Sequence, residues 1–422
     1  FSDSPGYHYG GAKVLNKTCP ACGVVSETPT LSRPDLVTMQ NYIYHDRKSA
    51  VNAPVGRFEL YFCQNCGLVF NASFEAHLVT YNEDYTACIS STFLEDYYRG
   101  IARFLNEKFD LENGMVVDIA CGKGNFLKLL CEMYPAVRGL GIDPSYEFGK
   151  PLQNIEFVSD IFKEEYVKEK PSLILCRHAF DQIENPLEFL KSIRRALTKY
   201  IEIPFFIEVG DLKWMLENRS FSDLCYERCN FFTVEGLKNI LRLANFTVEK
   251  AGRAFGEQYL WVYGVVPHDD QEISSNDLNF IDADSMGERL LEYSSIEEKL
   301  IEQMKTRLKN LRDKGYIVVV WGMATKGVVF CNLVDPDRTL FDHCIDINRQ
   351  KINCFVPHSG HSISGPEILL GVSSSKLLIV VMNPNYLSEI TSYCTEHGLN
   401  ASFLTLTGQE TDRLITTAPI FL

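Results

Sequence analysis

The chain has 422 residues, 45% of them hydrophobic and 23% charged, with a net charge of −14. That length allows two or three domains with real cores. The acidic balance argues against nucleic acid as a main partner, which needs a basic footprint, and against attachment to an anionic membrane surface. No apolar run reaches the ~18 residues that span a bilayer.

The first residues, Phe1 to His8, lack the charged-then-apolar build of a signal peptide, and the missing initiator Met reads as a trimmed or tagged start. A reducing, cytosolic setting is the expectation. The chain has 14 cysteines. Four stand as Cys19-Pro-Ala-Cys22-Gly23 and Cys63-Gln-Asn-Cys66-Gly67, with 40 residues between the pairs. Two such knuckles set four thiolates in a tetrahedron around one structural Zn²⁺, and the glycines let the backbone turn behind it. A redox CxxC, or two unrelated pairs, is the competing reading. Cys121, Cys131, Cys176 and Cys331 fall in apolar stretches and read as small buried hydrophobes.

Residues 1–80 therefore read as a zinc-binding block, with strands at Phe58–Phe62 and Leu68–Phe70 on either side of the second knuckle. Residues 81–265 alternate short apolar runs with helical stretches. Strands are predicted at Met115–Ile119, Val137–Ile142, Ile155–Val158, Leu173–Cys176 and Ile201–Val209, with helices at Asn125–Met133 and Leu187–Leu197. Such alternation predicts a parallel sheet with helices on both faces. Residues 266–310 read as an acidic linker, Asp269–Ser285, followed by a charged helix with an apolar face from Met286 to Arg312. Residues 311–422 begin a second α/β pattern, with strands at Tyr316–Trp321, His343–Asp346, Leu377–Met382 and Ser402–Leu406.

The run Asp118-Ile-Ala120-Cys-Gly122-Lys-Gly124 ends a buried strand and opens a helix. Glycines there let a ligand lie against the backbone. A dinucleotide site wants a third, packing glycine where this chain has Leu127, which disfavours a nicotinamide oxidoreductase. A methyl-donor site wants an acid just before the loop, and Asp118 supplies it beside the sulfonium and amino group of S-adenosylmethionine. Asp143, 21 residues after Gly122, is placed for the ribose hydroxyls, and Asp160 for the adenine amino group. An unliganded glycine turn is the alternative. After the fourth strand, Arg177-His178-Ala-Phe-Asp181 puts His178 near the donor methyl, as a general base or as a structural histidine. Glu208 stands at the end of the fifth strand. The run Tyr226-Glu227-Arg228-Cys229-Asn230 packs polar groups between aromatic ones and leads into a helix capped by Thr233. In the last block, Gly322-Met-Ala-Thr325-Lys326-Gly327 sits where a strand meets a helix. Its amides and Lys326 suit a phosphate, and Asp346 and Asn348 suit a ribose. A degenerate lobe kept for packing is the alternative.

The order of CxxCG, CxxCG, DIACGKG, RHAFDQIENP, YERCNFFT and WGMATKG resembles the three-part S-adenosylmethionine-dependent sugar C-methyltransferases over nearly the whole chain. The resemblance implies an α/β protein with an N-terminal zinc ribbon, a central Rossmann-type methyltransferase sheet and a C-terminal Rossmann-like domain. It also implies a nucleotide-linked 4-keto sugar bound between domains. Where those enzymes carry Glu-His, this chain reads Glu227-Arg228, and an arginine stays protonated. Arg228 is expected instead to pair with an anionic group of the acceptor or to polarise a carbonyl. Of the family's tyrosine-rich stretch only Tyr85 is retained. His178, Glu227 and Tyr226 are then the candidate bases. Tyr85, Glu208, Asn230, Gly322, Thr325, Lys326, Asp346 and Asn348 are the candidate acceptor contacts. An O- or N-methyltransferase on another metabolite, or a non-catalytic zinc scaffold, are the competing functions. The oligomeric state is not legible.

Overall fold

The computed structural model describes residues 17–27, 29–87, 91–147, 152–268, 283–372, 376–406 and 415–416. The chain's first residues and most of the expected acidic linker lie outside that set. Among the described residues, no helix is long and apolar enough to cross a membrane.

The N-terminal part is a four-stranded antiparallel sheet. It contains β1 (Leu31–Val37), β2 (Val55–Phe62) and β3 (Val69–Asn71), with α1 (Arg47–Val51) between the first two. The β1–β2 register shifts between Arg33 and Leu36. Pro34 lies at that shift, where a residue without an N–H is tolerated. The fourth strand comes from far along the chain, so the N-terminal sheet is completed by a segment that follows the central one.

The central sheet collects β4 (Met115–Ile119), β5 (Arg138–Ile142), β6 (Ile155–Val158), β7 (Leu173–Arg177) and β8 (Ile203–Gly210) in parallel. The helices α2 (Thr92–Phe109), α3 (Asn125–Met133), α4 (Pro186–Leu197) and α5 (Leu212–Glu217) accompany them. Next come β9 (Asn230–Phe231), which pairs with β3, and α6 (Val234–Leu243). An antiparallel hairpin of β10 (Thr247–Ala254) and β11 (Tyr259–Val266) closes the sheet in the order β10-β11-β8-β7-β4-β5-β6. Alternation along β4 sorts its side chains: Met115, Val117 and Ile119 join one core, and Val116 the core on the opposite face. Asp118 shares the Val116 face. The strand order reverses between β4 and β7, the place where open α/β sheets bind ligands beyond their carboxyl ends.

The long α7 (Ala283–Asp313) leads to a second parallel sheet. That sheet orders β14-β13-β12-β15-β16-β17, built from β12 (Ile317–Trp321), β13 (His343–Ile345), β14 (Ile363–Ser364), β15 (Leu377–Val381), β16 (Ala401–Thr405) and the antiparallel β17 (Ile415–Thr416). The helices α8 (Thr325–Val334) and α9 (Leu387–Glu396) flank it. Met286, Leu290, Met304 and Leu308 of α7 share one core with Leu31, Phe58, Leu224, Val318 and Phe330. The N-terminal sheet, the segment after β8 and the C-terminal lobe are thus packed as one. A buried Arg33 fastens them. Its guanidinium pairs with Glu297 of α7 and donates to the carbonyls of Leu224 and Phe221.

Candidate functional site

The two knuckles meet. Cys19 Sγ is 3.5 Å from Cys66 Sγ, and Cys22 Sγ is 3.3 Å from Cys63 Sγ. All four sulfurs lie within 4.8 Å of one another. Gly23 and Gly67 take positive φ, 77° and 81°, and return their N–H groups to the carbonyls of Cys19 and Cys63. This donor set fits one tetrahedral Zn²⁺ with no open position, hence a structural role.

The donor loop runs from β4 into α3 through three left-handed residues, Ala120, Gly122 and Gly124. A Cβ on Gly122 would meet nothing within 4 Å, so the loop faces open space there. A Cβ on Gly124 would lie 2.4 Å from the Phe157 ring, which itself stacks on Tyr146 at 4.0 Å. Asp143, just beyond β5, accepts from Gly122 N–H and Ser145 N–H, both at 2.7 Å. Asp118 is 3% exposed and makes no side-chain hydrogen bond among the described residues. Burial pushes its carboxyl up to about 7, against the pull of Arg177 and with a smaller push from Asp143. Asp160 stands past β6 at the sheet edge. Its carboxylate accepts from Lys163 and from Tyr166, and those bonds hold it at about 2.

At the ends of β7 and β8 the chain assembles a charged constellation. The strand register sets Arg177 beside Glu208. Arg177 donates to Glu208 Oε1 at 3.1 Å and lies over the rings of Phe126 (4.1 Å) and Tyr98 (4.7 Å). His178, in the left-handed region at φ 57°, brings Nε2 to 2.6 Å from Glu208 Oε1. Such strain in a non-glycine residue is typical of functional positions. The Tyr97 hydroxyl donates to Glu208 Oε2, and the His178 ring lies 4.4 Å from Tyr259. Burial would raise the Glu208 carboxyl, but Arg177 and His178 outweigh it and bring it down to about 2.

A second cluster joins three parts of the chain. Glu227 accepts from the N–H groups of Gln40 (2.5 Å) and Asn41 (3.2 Å), and from Tyr85 at 3.3 Å. Burial lifts its carboxyl to about 7 despite those bonds. Asn41 donates to Thr325 Oγ1 at 3.1 Å and accepts from Lys351 at 2.9 Å. Asp346 accepts from Met323 N–H (2.8 Å) and Asn348 N–H (2.7 Å), the same device as Asp143 in the central lobe. Asn348 reaches back to Thr86 at 3.3 Å. Gly322, at φ 110°, bends the chain between β12 and α8. The predicted Tyr85, Glu227, Thr325, Asp346 and Asn348 are therefore neighbours.

Three expectations need correction. Tyr226 turns away from its neighbour Glu227 into the N-terminal core, where it packs on Phe74 and accepts from Glu75 N–H at 2.9 Å. Tyr226 and Glu227 form a turn just before β9, and the bend sends the two side chains different ways. Arg228 is not free for an acceptor anion, because its Nε lies 3.1 Å from Asp181 and its NH1 donates to the Asp223 carbonyl at 2.9 Å. Lys326 is not free for a phosphate: it is buried against Asp223 at 3.0 Å and Gln258 at 2.9 Å, and burial lowers its pKa. Asn230 is fully buried on β9 and donates to the Ile183 carbonyl at 2.6 Å, with its Oδ1 unpaired among the described residues. Sequence reasoning passed over Tyr97, Arg177 and Tyr259. The alternation of β7 was the available signal for Arg177; nothing local marks Tyr97, 111 positions before Glu208.

A methyltransferase-domain profile matches residues 92–251, and a C-methyltransferase C-terminal-domain profile matches residues 283–400. No curated protein matches the sequence. Similar solved structures include the plantazolicin methyltransferase BpumL with S-adenosylhomocysteine, at 17% identity over 42% of this chain and 84% of that one, TM-score 0.33. Another is the Burkholderia thailandensis 1,6-didemethyltoxoflavin-N1-methyltransferase, at 17% identity over 40% and 78%, TM-score 0.31. A third is the Synechocystis PCC 6803 magnesium protoporphyrin IX methyltransferase, at 14% identity over 41% and 83%, TM-score 0.30. With a methyltransferase domain on the central sheet and a C-methyltransferase C-terminal domain on the second lobe, the chain is a multi-domain methyltransferase.

Proposed function

We propose that this enzyme methylates a carbon of a nucleotide-linked keto sugar, with His178 as the base that removes a proton beside the ketone. When bound, S-adenosylmethionine supplies an electrophilic methyl group carried on a sulfonium. Asp118 would stand by the sulfonium and amino group, Ala120, Gly122 and Gly124 would back the nucleoside, and Asp143 and Asp160 would meet the ribose and adenine. Two features support that fit: the open space over Gly122, and a buried Asp118 without a hydrogen bond among the described residues, which a neighbouring cation would hold ionised.

The observation that carries the reading is the His178–Glu208 pair. With Nε2–H donated to the carboxylate, the lone pair sits on Nδ1, ready to take a proton. Glu208 then stabilises the imidazolium that forms, and Tyr97 and Arg177 keep the carboxylate in place. The match of residues 283–400 to a C-methyltransferase domain supports a carbon acceptor. The nucleotide end of the acceptor would meet the loop of Gly322 and Thr325, beside Asp346 and Asn348, without help from Lys326. A second reading, transfer to oxygen or nitrogen, is favoured by Arg228 standing where the sugar enzymes have histidine; His178 or Glu227 would then deprotonate the acceptor.

The test is solvent exchange in D₂O with a panel of nucleotide-linked keto sugars, in the presence of S-adenosylhomocysteine. Deuterium should enter next to the ketone, and His178→Asn should slow entry about 10²–10⁴-fold. Methylation of a panel member without any exchange points to the second reading. Methylation of non-sugar metabolites alone sinks the substrate assignment.

A further inference from the structure

The cysteine cluster of the N-terminal knuckles has a smaller counterpart inside the C-terminal lobe. Cys331 on α8, Cys344 on β13 and His361 just before β14 offer one ligand atom each, and these atoms all lie within 4.8 Å of one another. The two sulfurs are 3.8 Å apart. Two thiolates on one tetrahedral ion, each at about 2.3 Å, stand at about that separation, whereas a disulfide needs about 2.05 Å. The Met323 thioether lies 3.9 Å from Cys331 Sγ. His361 is held from both sides, by Ser359 Oγ at 3.0 Å and Asp335 Oδ2 at 3.1 Å. Whichever ring nitrogen meets an ion, the other keeps a polar anchor, as metal-bound imidazoles do. A cavity of about 160 Å³ is lined by Cys344 and His361 together with His343 and Ser362, which gives the otherwise buried cluster an approach.

We propose that Cys331, Cys344 and His361, with Met323 as a weak fourth donor, form a second metal site. It takes one thiophilic d¹⁰ cation, Zn²⁺ or Cu⁺, as soft sulfur-rich donor sets do. Two metal–sulfur bonds and one metal–nitrogen bond form. Both thiol protons leave to solvent, and no oxidant or reductant is consumed. The ion ties α8 and β13 to the turn that carries His361 and to the loop after β12 that carries Met323. That loop is the one whose Met323 N–H bonds Asp346 and whose Met323 carbonyl receives Lys351 at 2.8 Å. The site is independent of the acceptor and of the base.

The experiment uses the full chain, stripped with a chelator under reductant, then loaded anaerobically with Zn²⁺ and afterwards with Cu⁺, with metal counted per chain after each step. Two zinc ions, or one zinc followed by one additional copper, is the expected count. His361→Gln and Cys344→Ser should each lose one equivalent and keep the zinc of Cys19, Cys22, Cys63 and Cys66. If Cys344→Ser does not fold, the wild-type count and the milder His361→Gln decide, with X-ray absorption reporting whether nitrogen scattering at the metal disappears in that variant. A single equivalent after both loads, or a count unchanged in His361→Gln, overturns the proposal.

Discussion

Replacing Glu208 by glutamine should cost both stability and turnover, and the two losses separate by pH. The carboxylate is fully buried and answers three donors, Arg177, His178 and Tyr97. A glutamine keeps one oxygen and turns its own amide donors toward Arg177 or Tyr97. Removing one side of a buried ion pair typically costs about 3–5 kcal/mol. The titration of the group gives a similar size. Its carboxyl drops from the ordinary 4.5 to about 2, and at about 1.4 kcal/mol per unit that is roughly 3 kcal/mol. Because the folded value is the lower one, this stability is fully present above about pH 4.5 and is lost as pH falls toward 2. Urea denaturation of wild type and Glu208→Gln should therefore differ by roughly 3 kcal/mol at pH 7 and converge near pH 2. Turnover at pH 7 should fall about 10²–10⁴-fold, since the imidazole loses its orienting acceptor. Equal stability at pH 7, or a variant that keeps full turnover, would refute the constellation.

Donor affinity should depend on Asp118. Its carboxyl titrates near 7 in the free protein, and the cationic donor prefers it ionised. Calorimetry should show S-adenosylmethionine binding about tenfold weaker for each pH unit below 7, with S-adenosylhomocysteine, which lacks the sulfonium, less affected. The slope should vanish in Asp118→Asn. Gly124→Ala, which drives a Cβ to 2.4 Å from Phe157 in a left-handed backbone, should destabilise the chain by about 1–3 kcal/mol in a denaturant titration and abolish donor binding. Arg33→Met should cost about 3–5 kcal/mol in the same titration by leaving the buried Glu297 without its cation, held only by the Tyr293 hydroxyl; a change under about 1 kcal/mol would mean that the pair does not fasten the lobes. Stripping the metal from Cys19, Cys22, Cys63 and Cys66 should unfold the N-terminal sheet, read by loss of protection of β2 and β3 in hydrogen exchange.

Local patterns carried the central strands, the glycine loop and the paired knuckles, because each is written within a dozen residues. Met115–Ile119 followed by Gly122 and Gly124 could be little else than a strand, a bend and a helix start, and the structure has β4 and α3 there. What the sequence hid is the partnership of distant groups. His178 was visible as a histidine after a strand, but its pairing with Glu208 depends on β7 lying next to β8, a choice of sheet order. Lys326 and Arg228 looked like free cations. They are matched by Asp223 and Asp181, which come from segments whose approach no periodicity announces. Tyr226 shows the limit from the other side: its polar neighbourhood in sequence implied a site, while the turn it shares with Glu227 sends its ring into the core. The hairpin of β10 and β11 also escaped notice. Its β10 strand is rich in charged and small residues and half exposed, so it lacks the apolar alternation that betrays a strand.

The decisive observation is a crystal structure of the chain with S-adenosylhomocysteine bound. We expect the nucleoside against Gly122, its ribose at Asp143, and its sulfur on the side of the sheet edge where His178 still donates Nε2–H to Glu208. A nucleoside found elsewhere, or a His178 ring turned away from Glu208 once the donor site is filled, would contradict the assignment of donor loop and base together.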